Sequence, residues 1–259
     1  MSVILHVDAW KLGLLFIAVM LVVGWLGART APEVTAPDKS PNTRIADASI
    51  ALFALLLAFS FSGAADRYEH RKGYLLDEAI AIGDFAATAS MLDAPAKDEI
   101  RRELALYVKE RITFGSVHLD APEMKQVTAR SRASQGRIQA IVRRIITAKD
   151  SPTLHTPLMN GFNGVTMTHD RALYGSQNQL SDTIIGLLVL FGCISAFLTG
   201  RFSGHAGRAA SSFASMRWIM LYSLLVGAVF TVTMDLEQPH RGIMRNSKAS
   251  LVDVLASLE

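Results

Sequence analysis

Residues 50–70 read IALFALLLAFSFSGAADRYEH. The stretch is apolar or small as far as Ala65, and it turns to charged side chains at Asp66. Together with the two residues before them, its first 16 residues form 18 consecutive positions without a formal charge, from 48 to 65. An α-helix of that length rises about 27 Å, which nearly crosses a hydrocarbon core of about 30 Å. The stretch therefore predicts a membrane-spanning helix that ends near Asp66.

Three further stretches have the same character. Residues 12–28, 183–200 and 218–234 hold 17, 18 and 17 positions without a formal charge. The chain of 259 residues is 50% hydrophobic and 19% charged, which excludes a disordered chain. The concentration of apolar residues in four blocks favours a multi-pass membrane protein. We interpret the first block as a retained span, with a cleaved signal peptide as the alternative, because it exceeds a typical signal core and Arg29 follows at once.

The blocks divide the chain into four parts. Residues 1–65 hold spans 1 and 2, residues 66–182 form an extramembrane helical domain, residues 183–234 hold spans 3 and 4, and residues 235–259 form a C-terminal tail. Apolar residues at steps of three and four beyond Asp66 predict that span 2 continues as one long helix. The sequence Leu-Asp-Ala-Pro at 92–95 and again at 119–122 suits a helix start. The predicted fold is an all-α integral membrane protein with four transmembrane helices and a helical hairpin domain inserted between spans 2 and 3.

The tail is predicted to end in a short amphipathic helix with Ser250 as its cap. Its apolar stripe comprises Leu251, Val254, Leu255 and Leu258. A single short helix is not stable alone, so we expect it to dock on the long extramembrane segment or on a neighbouring subunit.

The orientation follows from span parity and basic residues. An even number of spans places both termini and residues 66–182 on one side of the membrane. Basic residues are nearly balanced between the two sides, but they are denser in the two short loops. The positive-inside rule therefore favours short loops in the cytoplasm and residues 66–182 outside the inner membrane of the cell.

Charged residues follow span 2 and span 4. Arg67, Arg71 and Glu78 share one face of the helix that leaves span 2, because they are four and seven residues apart. Parity places Asp235 and Glu237, which follow span 4, at the same membrane surface. We expect these five residues to meet in an interfacial charge network. The alternatives are a charged vestibule at a pore mouth and a site for a ligand or a lipid headgroup.

The spans contain no ionisable Asp, Glu, Lys, Arg or His, which disfavours a proton relay inside the membrane. A passive pore needs only hydroxyls and apolar constrictions. The candidate lining residues on spans 2 and 4 are Phe59, Ser60, Ser62, Ser223, Thr231 and Thr233. The alternative for their hydroxyls is bonding within their own helix and packing between helices. Because four spans enclose little space, we expect any passage on a symmetry axis among subunits.

The sequence gives no sign of an enzyme or of a cofactor. It lacks a nucleophile elbow, a zincin helix, a phosphate loop and a dinucleotide-binding glycine turn. No metal site is expected, because Arg67 and Arg71 flank the ligand-like pair of Asp66 and His70 and would repel a cation. The basic helix at 130–144 lacks interleaved aromatic residues, so we expect a solvated face or contact with anionic lipid rather than nucleic acid.

Five segments carry a family resemblance. They are residues 59–71, residues 77–83, Asn163, residues 169–171 and residues 235–242. This pattern resembles the signature of the bestrophin-like family of bacterial and plant membrane proteins, which is distantly similar to pentameric anion channels. The acidic calcium clasp of animal bestrophins has no counterpart here, so the resemblance does not extend to calcium gating.

The resemblance implies an oligomeric integral membrane protein that forms an ion channel. The functional prediction is therefore a homo-oligomer in the lipid bilayer that conducts inorganic ions passively. The alternative is a non-conducting scaffold that binds a partner through its extramembrane helices.

Overall fold

The computed structural model describes residues 7–31, 41–114, 122–207, 212–238, 244 and 247–259. Across these residues the regular structure is helical, which confirms the all-α prediction. The helices are α1 (Ala9–Arg29), α2 (Pro41–Ala89), α3 (Ala96–Phe114), α4 (Pro122–Ala148), α5 (His155–Gln177), α6 (Asp182–Gly207), α7 (Ser212–Leu236) and α8 (Ala249–Leu258), with a 3-10 turn at Pro152–Leu154.

The described chain forms two compact units. The membrane unit contains the described residues up to Arg67, those from Gln179 to Gln238, and Met244. The helical unit contains the described residues from Tyr68 to Asn178 and residues 247–259. Helix α2 contributes to both units, because its 49 residues continue past the uncharged stretch as predicted.

Four helices are long and apolar enough to cross a membrane, which confirms the four predicted spans. Their bounds are Ala9–Arg29, Ala46–Ala89, Asp182–Ser203 and Met216–Leu236. Small residues allow α1 and α6 to pack closely, since a Cβ atom on Gly200 would overlap the backbone of Gly24. The side chains of Phe16 and Met20 on α1 are buried in the core of this unit, so α1 packs as a span of the bundle.

The helical unit has its own apolar core. Ile82 and Phe85 on α2 are buried there with Leu104 on α3, Ile138 on α4 and Leu158 on α5. The apolar stripes of α3 and α4 are therefore mostly buried. The exceptions are Ile112, Ile141 and Ile146, which lie at the margin of the core and are only partly buried.

The C-terminal helix α8 docks on the long extramembrane segment, which is one of the two predicted arrangements. Its Leu251 and Leu258 are buried, and Arg101 Nε donates to the carbonyl oxygen of Leu258 at 2.6 Å. The prediction of Ser250 as its cap was wrong. Helix α8 already begins at Ala249, whose backbone N–H donates to Ser247 Oγ at 3.3 Å, so Ser250 lies inside the first turn.

Candidate functional site

Side chains at the end of α7 form hydrogen bonds with several other spans of the membrane unit. The carboxylate of Glu237 is fully buried, and its Oε1 accepts from Arg67 Nε at 2.9 Å and Arg67 Nη2 at 2.5 Å. Its Oε2 accepts from the backbone N–H of Leu180 at 3.0 Å, just before α6. A buried carboxylate needs both a cation and further donors, and Glu237 has both. Glu237 therefore fixes Arg67 of α2 and the start of α6 to the end of α7.

The next residue, Gln238, fixes the start of α1. Its Oε1 accepts from the backbone N–H of Ala9 at 3.1 Å, and its Nε2 donates to the carbonyl oxygen of Val7 at 2.7 Å. Asp235 Oδ2 accepts from the backbone N–H of Met244 at 3.0 Å. We call Arg67, Asp235, Glu237 and Gln238 the span-end junction. It gives a physical role to the Asp-Leu-Glu-Gln part of the sequence signature.

The five residues of the predicted charge network belong to separate groups of contacts in the structure. Arg67 and Glu237 are brought together, as described above. Arg71 is buried, and its Nη1 donates to the carbonyl oxygen of Asn178 at 3.5 Å. The carboxylate of Glu78 bonds to residues of α3 in the helical unit, which the sequence analysis did not foresee.

Glu78 is the centre of a buried cluster in the helical unit. Arg111 donates to both of its carboxylate oxygens, from Nε at 2.6 Å and from Nη2 at 2.8 Å. Tyr107 donates its hydroxyl hydrogen to Glu78 Oε1 at 2.5 Å. His169 Nδ1 lies 2.9 Å from the Tyr107 oxygen. We call Glu78, Tyr107, Arg111 and His169 the buried carboxylate cluster.

The charges of this cluster shift its acidities. Burial alone would raise the pKa of Glu78, but the positive charge of Arg111, together with hydrogen bonds from Arg111 and Tyr107, lowers it from 4.5 to about 2. Burial and the negative charge of Glu78 raise the pKa of Tyr107 well above 10. The carboxylate is thus ionised and the phenol is neutral at physiological pH.

The ionised Glu78 and the neutral Tyr107 determine which atoms of the cluster carry hydrogens. An ionised carboxylate only accepts hydrogen bonds, so the single hydroxyl hydrogen of Tyr107 is directed at Glu78. The Nδ1 of His169 must then carry the hydrogen that faces the Tyr107 oxygen. The cluster joins α2, α3 and α5 in a defined register, and it contains no activated nucleophile.

Sequence reasoning missed this cluster for identifiable reasons. Tyr107 and Arg111 lie on α3, far along the sequence from Glu78, so helix spacing on α2 does not connect them with its carboxylate. A signal was present, because Arg111 lies seven residues after Leu104 and four after Tyr107, in the buried phase of α3. A charged residue in a buried phase requires a partner of opposite charge.

The candidate pore-lining residues fall into two groups. Phe59 is 69% exposed, and Ser62 is exposed as well. Ser223 and Thr233 are fully buried, and the hydroxyls of Ser60, Thr231 and Thr233 donate to carbonyl oxygens four residues earlier in their own helices. Ser60, Thr231 and Thr233 thus adopt the intrahelical bonding that the sequence left open as the alternative, whereas the buried hydroxyl of Ser223 has no hydrogen-bond partner among the described residues.

A metal centre is not formed by the described residues, where no three His, Cys, Asp or Glu side chains are grouped as ligands. His240, which belongs to the signature segment 235–242, lies outside the described residues.

Comparison with known proteins identifies the family of this chain. A profile of the family described as Bestrophin-like domain matches residues 14–251. Curated proteins give no match. A point mutant of a bacterial bestrophin homologue from Klebsiella pneumoniae has a similar fold, with a TM-score of 0.66 and 12% identity over 96% of this chain and 94% of that chain. A point mutant of a protein described as a membrane protein gives a TM-score of 0.62, also at 12% identity, over 95% and 97% of the two chains. The residues of the sequence signature and the profile that spans them show that the chain belongs to the bestrophin-like family.

Proposed function

We propose that this membrane protein is a homo-oligomeric ion channel, with a passage on the symmetry axis between subunits. The observation that carries the proposal is family membership over residues 14–251. The fold likeness to the bacterial bestrophin homologue extends over both the spans and the helical unit, since it covers 96% of the chain.

The chemistry of the spans supports passive conduction. Their uncharged stretches offer no residue for a proton relay or a voltage sensor. The cluster around Glu78 is a neutralised structural set, and it offers no group for acid, base or nucleophilic catalysis. We therefore propose a channel and not an enzyme.

We propose fewer pore-lining residues than the sequence suggested. A side chain buried inside one subunit does not reach a passage between subunits, so Ser60, Ser223 and Thr233 are assigned to packing. Phe59 and Ser62 lie on the outward surface of α2 and are the proposed lining residues.

Two measurements on purified protein test the proposal. We expect light scattering in detergent to give several times the 28.2 kDa mass of one chain, and reconstituted liposomes to release a trapped salt. A monomer that leaves liposomes tight would contradict the channel and favour the alternative of a non-conducting scaffold. Its binding surface would then be the basic exposed face of α4, which carries Arg130, Arg132 and Arg143.

We also propose the inner membrane as the location, with the short loops in the cytoplasm and residues 66–182 outside. Replacing Cys193, the single cysteine, with serine allows a new cysteine to be placed at position 120 or 205. An impermeant thiol reagent applied to intact cells should label position 120 and not position 205. The reverse pattern would contradict this orientation.

A further inference from the structure

Helices α1 and α7 pack against each other as an antiparallel pair in the membrane unit. A Cβ atom on Gly13 would overlap Thr231, and a Cβ atom on Gly24 would lie 2.7 Å from Ile219 Cγ2. Residue 13 therefore opposes residue 231, and residue 24 opposes residue 219. The last turns of α1 and the first turns of α7 thus lie at the same level of the pair, at the end of the spans that leads into the short loops.

One side of this helix pair carries an exposed apolar groove. In an antiparallel pair, the residue after each contact position turns to the same side on both helices. Leu14, Trp25 and Met220 occupy such positions, and Leu224 lies one turn after Met220. Their side chains are 58%, 37%, 55% and 58% exposed in that order. We call these four side chains the α1–α7 groove.

The length of the α1–α7 groove suits a lipid chain. From Leu14 to Trp25 the helix rises about 16 Å, at about 1.5 Å per residue. This distance is close to half of a hydrocarbon core of about 30 Å, which is the depth of one leaflet. Trp25 lies at the loop end of the groove, and tryptophan is favoured at the membrane–water interface.

Two arginine residues stand at the same end of the groove. Arg29 follows Trp25 by one turn, and its guanidinium carbon lies 3.9 Å from the centroid of the Trp25 ring. Arg217 precedes Met220 by three residues on the same stripe of α7, and it is exposed. Because residue 25 opposes residue 218 in the register of the pair, both arginines lie at one level.

The charge of these arginines is not compensated by the described residues. Neither Arg29 nor Arg217 forms an ion pair within the part of the chain that the structure describes. The sequence from 202 to 216 contains no Asp or Glu, and the sequence from 30 to 46 contains two acidic and two basic residues. The loop end of the α1–α7 groove therefore carries a net positive charge beside an apolar surface.

We infer that the α1–α7 groove binds an anionic phospholipid, with Arg29 and Arg217 on its phosphate group and its acyl chains along the groove. Guanidinium groups bind phosphate oxygens through paired N–H donors. A free phosphate ion offers the same chemistry to the arginines, but a lipid also covers the exposed leucine and methionine side chains. In the orientation proposed above, this end lies in the cytoplasmic leaflet, whose surface is negatively charged. The inference needs the membrane location of the chain and does not depend on conduction.

Native mass spectrometry of the purified protein provides the first test. In equal amounts of phosphatidylglycerol and phosphatidylcholine with the same acyl chains, the wild type should retain severalfold more phosphatidylglycerol. Arg29→Gln/Arg217→Gln should lose this preference. The matched control Arg132→Gln/Arg143→Gln removes two exposed arginines of the helical unit and should keep it. Equal retention of the two lipids by the wild type, an unchanged preference in Arg29→Gln/Arg217→Gln, or a preference lost in the control would overturn the inference.

Competition with inorganic phosphate distinguishes a lipid from a free anion. A large excess of inorganic phosphate should leave phosphatidylglycerol bound, because phosphate has no acyl chain to cover the groove. Displacement of the lipid would show that the site binds the phosphate group alone, and the lipid assignment would fail.

Fluorescence of Trp25 tests the location of the lipid. In a Trp10→Phe/Trp218→Phe background, Trp25 is the single tryptophan. A small mole fraction of phosphatidylglycerol with brominated acyl chains should quench its fluorescence more strongly than the same fraction of brominated phosphatidylcholine. Adding Arg29→Gln/Arg217→Gln should remove the difference. Equal quenching by both lipids would contradict the inference, and quenching by neither would show that protein, such as a second copy of the chain, covers the groove instead.

Discussion

The carboxylate of Glu78 balances the buried charge of Arg111 in the helical unit. Glu78→Gln leaves the Arg111 cation buried without its counter-charge, and breaking a buried pair from one side costs about 3–5 kcal/mol. We expect a clear fall in the melting temperature of the full chain in detergent. The control Glu69→Gln changes an exposed carboxylate and should alter stability by no more than about 0.5 kcal/mol. Equal melting of both variants would contradict the role of the cluster.

The same residue gives a pH dependence with a defined sign. The pKa of Glu78 is lowered on folding from 4.5 to about 2, so the unfolded chain binds a proton more readily than the folded one. Its contribution to stability is therefore complete above pH 4.5 and is lost as the pH falls towards 2. Thermal melting across this interval should show a loss in the wild type that is smaller in Glu78→Gln. If the melting temperatures of the wild type and of Glu78→Gln fall in parallel with pH, Glu78 does not contribute to the pH dependence of stability.

Arg67 and Glu237 are expected to act as a coupled pair in the span-end junction. Arg67→Ala and Glu237→Gln should each reduce folding yield or assembly, and their double variant should be less impaired than the sum. Coupled neighbours typically show interaction energies of about 0.5–3 kcal/mol. Asp235→Ala should also be impaired, since its carboxylate holds the backbone of Met244. Wild-type behaviour of all these variants would show that the junction has no structural role.

At the scale of the helix, α6 offers a matched pair of glycines. A Cβ on Gly200 would overlap the backbone of Gly24, whereas a Cβ on Gly186 meets nothing within 4 Å. We expect Gly200→Ala to force α1 and α6 apart and lower the melting temperature. Gly186→Ala should be neutral or stabilising by up to about 1 kcal/mol, because alanine favours the helix. Similar effects at both positions would contradict the close packing of these helices.

The helices were largely predictable from the sequence, and their tertiary partners were only partly so. The spans followed from uncharged stretches, and the meeting of Arg67 with Glu237 followed from helix spacing and span parity. The partners of Glu78 could not be found in this way, because they lie on α3 and α5, and only packing brings those helices to α2. The cap of α8 was misplaced by local reasoning, since α8 begins at Ala249 with Lys248 at its N-cap position.

At the scale of the whole molecule, membership of the bestrophin-like family and the four spans are established, while assembly and conduction are proposals. The resemblance in residues 59–71 and 235–242 pointed to the family, and the family profile over residues 14–251 shows the membership. Residues of one chain do not reveal how several chains meet, because an interface depends on surfaces of separate molecules. The passage therefore has to be tested in the assembled protein.

The most direct test is a single-channel recording from the purified wild-type oligomer in a planar lipid bilayer. The proposed channel should give discrete unitary currents whose size grows with salt concentration. A silent bilayer with every alkali cation and halide tried, from protein that is folded and oligomeric, would contradict it.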